Sequence, residues 1–196
     1  MSAIFKKIYH HPLLSDQDIE TLAAAHEKVV FEKGAVLLRK GKVANEYYIL
    51  EQGLIRAFVY DYNNSEITTE YFTDDELVIA PASLFQRTPS QETLQALTDC
   101  TLWKISFDAF QILYHKVAGF SEWGRLWFTQ QLFALKQRSL DMITETATHR
   151  YLKLVKEKPQ IIQHVPLKQI ASYLGVTDTS LSRIRKELLK ASGTAT

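Results

Sequence analysis

The spacing of apolar positions changes three times along this chain, and each change marks a boundary. Ser15 stands before DQDIETLAAAHEKV, where acidic residues lead into Ile19, Leu22 and His26 at helical spacing, the pattern of a capped helix. Between residues 29 and 105 the period shortens. Runs of β-branched and aromatic residues at 36–38, 47–50, 54–60, 67–72, 77–79 and 101–105 are punctuated by Gly34, Gly41, Gly53 and the pair Asn63 and Asn64. Many short strands at close spacing predict a sandwich or barrel-like β domain. Ser106 then caps a helix beginning FDAFQIL, and a longer helix is predicted over 120–143, with no proline and no glycine after Gly124. Its apolar residues fall around most of the helix, so it must be buried on most sides. An internal core helix would satisfy that pattern. A dimer seam is the sharper expectation, with Phe120, Trp123, Trp127 and Ala134 in the contact.

After residue 143 the pattern is helical and basic. It predicts a helix over 149–158 ended by Pro159, a short strand over 160–165, two further helices, and a frayed polar tail over 191–196. The predicted domains are 1–118, 119–143 and 144–196.

Composition narrows the class. With 46% hydrophobic and 23% charged residues among 196, the chain can bury a core, which excludes disordered and low-complexity classes. No apolar run approaches the roughly 20 residues that span a bilayer, and MSAIFKKIYHHPLL lacks the apolar stretch of a signal peptide. The single cysteine, Cys100, forms no internal disulfide and supplies no four-thiolate site. These features read as a cytoplasmic protein. The near-neutral total charge hides a division: residues 1–143 hold 14 Lys+Arg against 18 Asp+Glu, whereas 144–196 hold 9 against 4. An excess of cations in the last quarter suggests an anionic partner there.

The most specific local signal is PLKQIASYLGVTDTSLSRIRKELL. Pro166 falls where a first helical position tolerates the missing N–H. Leu167, Ile170, Ala171 and Leu174 repeat at i, i+3, i+4 and i+7, and Gly175 stands where a left-handed residue ends a helix. Thr177 is placed to cap the next helix, whose buried stripe is Leu181, Ile184 and Leu188. Thr179, Arg183, Lys186 and Lys190 share the opposite face. A short helix, a glycine turn and a second helix free to enter a groove are what a helix-turn-helix requires. Asp178, Thr179 and Ser180 occupy the first turn, where short side chains reach bases or phosphates. Lys168, Ser182, Arg185 and Lys186 are placed for phosphates, which add affinity but little sequence choice.

On these residues the chain resembles the Crp/Fnr family of bacterial transcription regulators. FEKGAVLLRKG followed by EYYILEQGLIR is similar to that family's effector domain, with Gly34, Gly41 and Gly53 turning the corners of a β-roll, and PLKQIASYLGVTDTSLSRIRK to its DNA-reading helices. The resemblance implies an α+β fold. Its parts are an N-terminal double-stranded β-helix, the jelly-roll of cyclic-nucleotide-binding domains, then a long dimerisation helix and a C-terminal helix-turn-helix domain of winged-helix type. About six residues follow Lys190, so the wing is expected to be truncated. It further implies a homodimer reading a palindromic operator on double-stranded DNA, Arg183 as the base-reading arginine, RNA polymerase as a further candidate partner, and no membrane.

The chain departs from the family at the effector site. Cyclic-nucleotide binders carry Gly-Glu-Leu and, about ten residues later, Arg-Ser or Arg-Thr. This chain has Asp75-Glu76-Leu77, with Arg87-Thr88 one step late and Ser90 at the position counted back from Cys100. Glu76, Arg87, Thr88 and Ser90 are the candidate effector residues, yet neither register completes a phosphate site, and Asp75 adds repulsion. The expected effector is therefore not cyclic AMP, and an unknown small molecule takes its place if there is an effector at all. Tyr47, Tyr48, Phe58, Tyr60, Tyr71 and Phe72 are candidates for lining an apolar pocket, though aromatics on strands are more often core. His10, His11, His26, His115, His149 and His164 show no ligand spacing beyond one adjacent pair, so no metal site is expected. A second reading is a small-ligand-binding or protein-docking module that binds no specific DNA. An enzyme on a cupin-like roll would need a histidine cluster on facing strands, and 29–105 contains no histidine.

Overall fold

The computed structural model describes residues 3–193. Two short helices, α1 (Ala3–Ile8) and α2 (Asp16–Ala24), precede eight strands. These are β1 (Glu27–Phe31), β2 (Val36–Leu38), β3 (Glu46–Gln52), β4 (Ile55–Tyr60), β5 (Glu66–Phe72), β6 (Glu76–Val78), β7 (Thr93–Ala96) and β8 (Cys100–Ser106), with helix α3 (Pro81–Gln86) between β6 and β7. They pair antiparallel in two four-stranded sheets of order β1-β8-β3-β6 and β2-β7-β4-β5. The C-terminal part is helical: α4 (Phe107–Lys116), α5 (Ala118–Thr144), α6 (Ala147–Glu157), α7 (Pro159–His164), α8 (Leu167–Tyr173) and α9 (Asp178–Gly193). No described helix is long and apolar enough to cross a membrane.

Three apolar layers hold these elements. Between the sheets lie Tyr48, Leu50, Ile55, Ala57, Val78, Leu94, Ala96 and Leu102. On the outer face of the first sheet Tyr47, Ile49, Leu77 and Ile105 meet α1, α2, α4 and the start of α5. Around the second sheet Leu54, Tyr71 and Leu97 join the C-terminal helices.

The structure corrects several expectations. The segment 160–165 is helix α7, not a strand. Pro159 opens it as well as closing α6, because a first-turn proline loses no needed donor. Ile161 and Val165, one turn apart, then turn into the core, at 0% and 7% exposed. Pro166 is the N-cap residue of α8 rather than its first helical residue. Helix α9 continues to Gly193, into the tail expected to fray, and 194–196 lie outside the described residues. Phe120 and Trp123, expected at a dimer seam, are interior residues of the protomer. Phe120 is 0% exposed, and Trp123 donates its indole N–H to the Ile8 carbonyl at 2.8 Å. Gly119 makes this possible, since a Cβ there would lie 2.3 Å from the Leu13 carbonyl oxygen.

One buried hydrogen-bonded chain ties the N-terminal helices to the roll. His26 Nδ1 lies 2.8 Å from the Leu22 carbonyl, which can only accept, so the ring proton sits there. Nε2 then accepts from Tyr9 Oη at 2.9 Å, and Tyr9 accepts from Tyr47 Oη at 2.9 Å. Burial, opposed by the Leu22 carbonyl, pushes the imidazole pKa down to about 4. Because the unfolded chain titrates near the ordinary histidine value, it takes up a proton as pH falls that the native state refuses. Stability should therefore drop by about 2 kcal/mol between pH 7.5 and pH 5 on account of this residue. Urea unfolding at the two pH values checks this: the drop should shrink by that amount in His26→Gln, and an equal drop in both proteins would contradict the assignment.

Candidate nucleic-acid interface

Helices α8 and α9 form a compact pair. Ile170 and Ala171 of α8 are 1% exposed, and Leu181 and Ile184 of α9 are 0% and 8% exposed. Between them Leu174 closes α8, and Gly175 adopts φ +67°, the left-handed region that favours glycine. A Cβ on Gly175 would also approach Met142 Cε of α5 to 2.5 Å. Thr177 starts the second helix as its sequence predicts: Oγ1 accepts the Ser180 backbone N–H at 3.1 Å and donates to Ser180 Oγ at 2.9 Å. Asp178 Oδ1 accepts the Thr179 N–H at 2.9 Å.

The outward face of the pair is open. Asp178, Thr179, Ser182, Arg183 and Lys186 line one recess with Leu167 of α8. Lys168 and Arg185 are exposed beside it. Thr177 and Ser180 are held in the cap, which leaves Thr179, Ser182, Arg183, Arg185 and Lys186 pointing away from the core. Arg183 is 77% exposed in its side chain, and its nearest carboxylate, Glu187, is 3.9 Å away and 67% exposed. A pair that loose and solvated holds the guanidinium weakly, so Arg183 is available to an incoming acceptor.

The candidate effector residues do not converge. Glu76 Oε2 accepts from the Thr73 N–H at 2.7 Å and from Lys158 Nζ at 2.8 Å. Arg87 turns the other way: it donates to the Ala44 carbonyl and Asn45 Oδ1, each at 2.6 Å, and stacks on Phe107. The Thr88 carbonyl accepts from Ser83 Oγ at 2.7 Å, while Ser90 is buried and donates to the Glu92 carbonyl at 2.9 Å. Nor do the aromatics share a pocket. Tyr47 faces the helices, Tyr48 the roll interior and Tyr71 the C-terminal unit, whereas Phe58 stacks under Arg56 and Tyr60 is 42% exposed. Among the described residues no group of three His, Cys, Asp or Glu is placed to hold a metal ion.

The position of Asp75 is informative. Its backbone is left-handed, φ +67°, a conformation that glycine adopts freely and other residues rarely do. Its carboxylate faces outward to Lys7 Nζ at 2.6 Å.

Residues 28–116 match the cyclic nucleotide-binding domain family. Over most of its length the chain shares its fold with solved transcription regulators. It superposes on the c-di-GMP-responsive global regulator CLP of Xanthomonas campestris with a TM-score of 0.71 at 18% identity, covering 91% of this chain and 93% of that one. A protein described as a Crp/Fnr-family transcriptional regulator from Eubacterium rectale gives 0.71 at 15% identity, covering 93% and 88%. The Thermus thermophilus catabolite activator protein gives 0.58 at 15% identity, covering 94% and 88%. Comparison with curated proteins finds no match.

The braces between roll and C-terminal helices escaped sequence reasoning. Arg138 and Lys158 carry no motif, Tyr173 takes no part in the buried stripe of its own motif, and only the topology brings the three to β5. The scattered effector residues give a direct expectation. Titration calorimetry with cyclic AMP or cyclic GMP should show no saturable binding at micromolar concentrations, because Arg87 would have to leave two hydrogen bonds and a ring to meet a phosphate. Micromolar affinity that disappears in Arg87→Ala would show that it does.

Proposed function

We propose that the chain is a sequence-specific DNA-binding transcription regulator rather than an enzyme, acting as a homodimer on a palindromic operator. The observation that carries this reading is the cationic outer face of α9, raised on a short helix and a glycine turn and open to a major groove. Arg183 reads a base edge, gripping guanine O6 and N7, and Lys168, Arg185 and Lys186 hold phosphates. The same reading makes RNA polymerase a further partner and the cytoplasm the place of action. Any effector is a molecule other than cyclic AMP.

The distal half of α5 supports the dimer. Leu132, Phe133, Leu135 and Ile143 are 62%, 67%, 65% and 81% exposed, apolar side chains that a second copy of the helix would cover. Trp127 is half-buried and Ala134 exposed, so these two of the four expected seam residues remain available to it. A two-fold axis along α5 would set two copies of α9 about 34 Å apart, one turn of DNA.

Two measurements test the reading. Against specific and scrambled duplexes, Arg183→Ala should lose roughly 1–3 kcal/mol of discrimination, whereas Lys186→Ala should weaken both duplexes alike and flatten the salt dependence by about one unit. Salt-insensitive or absent DNA binding by the unaltered protein would favour a protein-docking module. In light scattering, Phe133→Glu should convert a dimer to a folded monomer, since Phe133 is mostly exposed and its loss leaves the protomer core intact. An unchanged dimer mass would place the seam elsewhere.

A further inference from the structure

Strand β5 lies at the edge of its sheet, with β4 as its one neighbour in the ladder. An edge strand presents bare backbone N–H and C=O groups. Here side chains from the C-terminal helices take them. The Thr68 N–H donates to Ser172 Oγ of α8 at 3.1 Å, Arg138 of α5 donates to the Thr69 carbonyl, and Lys158 Nζ donates to the Tyr71 carbonyl at 2.6 Å. Each comes from a different helix or helix junction. Lys158 also reaches Glu76, and Arg138 lies 3.7 Å from Glu70 and 4.0 Å from the Tyr173 ring centroid. The Tyr71 and Tyr173 rings close the seam at 5.0 Å.

Lys158 is the best anchored of these groups. It ends α6 with its N–H on the Leu154 carbonyl and starts α7 with its carbonyl on the Ile161 N–H, so two helix termini fix its position. Its side chain is only 20% exposed, and two of its three ammonium protons are taken by protein acceptors. A half-buried ammonium on a carboxylate and a carbonyl is a stronger tie than a surface ion pair.

We infer that this seam is a built-in clamp, with Lys158 bound by Glu76 and the Tyr71 carbonyl, that fixes the α6–α9 unit on the roll. Glu76 thereby serves the chain's own lysine instead of a diffusible molecule. The orientation of α9 is then set by the fold, and operator binding needs no small effector. This last step rests on the DNA-binding reading above; the clamp itself does not.

The test uses the full chain in two arms. In hydrogen–deuterium exchange without DNA, Lys158→Met and Glu76→Gln should each speed exchange of the amides at 68–76 and in α8 by roughly tenfold, with the amides of β3 and β8 unchanged. Lys158→Arg should stay close to the unaltered protein. In the second arm, Lys158→Met should weaken specific and scrambled duplexes unequally, lowering specific affinity roughly fivefold or more because α9 is no longer held in place, and the double exchange of Glu76→Lys with Lys158→Glu should recover part of it. Unchanged seam exchange in both single variants would overturn the clamp. If the unaltered protein binds no DNA, the DNA-binding reading fails, and the exchange arm alone decides the clamp. If it binds its site only after a small molecule is added, effector independence fails.

Discussion

Everything on the C-terminal side of this molecule depends on one unbroken helix that is packed into the core at its start and bonded to β5 and α6 near its far end. Helix α5 has 27 residues, about 40 Å at 1.5 Å per residue. Its first two turns are locked between Leu13 and the rings of Tyr9 and Phe110, which pack on its Phe120, with Gly119 admitting the close approach and Trp123 bonded to Ile8. Beyond Trp127 the same helix leaves the core and carries an exposed apolar surface. Arg138 and Met142 near its far end are where the roll and the α8–α9 turn are touched.

This division explains what could be read in advance. The all-round apolar pattern of 120–143 showed that the helix needs cover on every side. It could not show that the cover changes identity midway, because periodicity carries no information about which partner lies opposite. Phe120 and Trp123 therefore read the same as Leu132 and Phe133, although the first pair is interior and the second exposed. The α8–α9 pair was legible almost to the residue. Its stripe, glycine turn and Thr177 cap are all local, and local features leave the clearest trace in sequence.

The errors share a cause too. Strand β7 holds TLQA between β2 and β4, with no β-branched run to announce it. Its strand form comes from the ladder on both sides rather than from its own propensity. The adjacent Ile161 and Ile162 suggested a strand, but Pro159 supplied a helix start and the core drew in Ile161 and Val165 one turn apart. The edge of β5 lay beyond sequence reasoning altogether, since its partners stand between 69 and 104 residues away in the chain.

The left-handed residues carry the argument about the effector site one step further. Asp75 at φ +67° and Arg87 at φ +55° both hold a conformation that costs a non-glycine residue on the order of 1 kcal/mol. Strain of that size persists only when surrounding contacts fix it. Around Asp75 they are its N–H on the Leu50 carbonyl at 2.8 Å and its carboxylate on Lys7; around Arg87 they are the Ala44, Asn45 and Phe107 contacts. Contacts within the protein thus hold both residues in place. Glu76, the neighbour of Asp75, binds Lys158 at the α6–α7 junction, so the strained backbone at 75 lies one residue from the contact between the roll and the C-terminal helices.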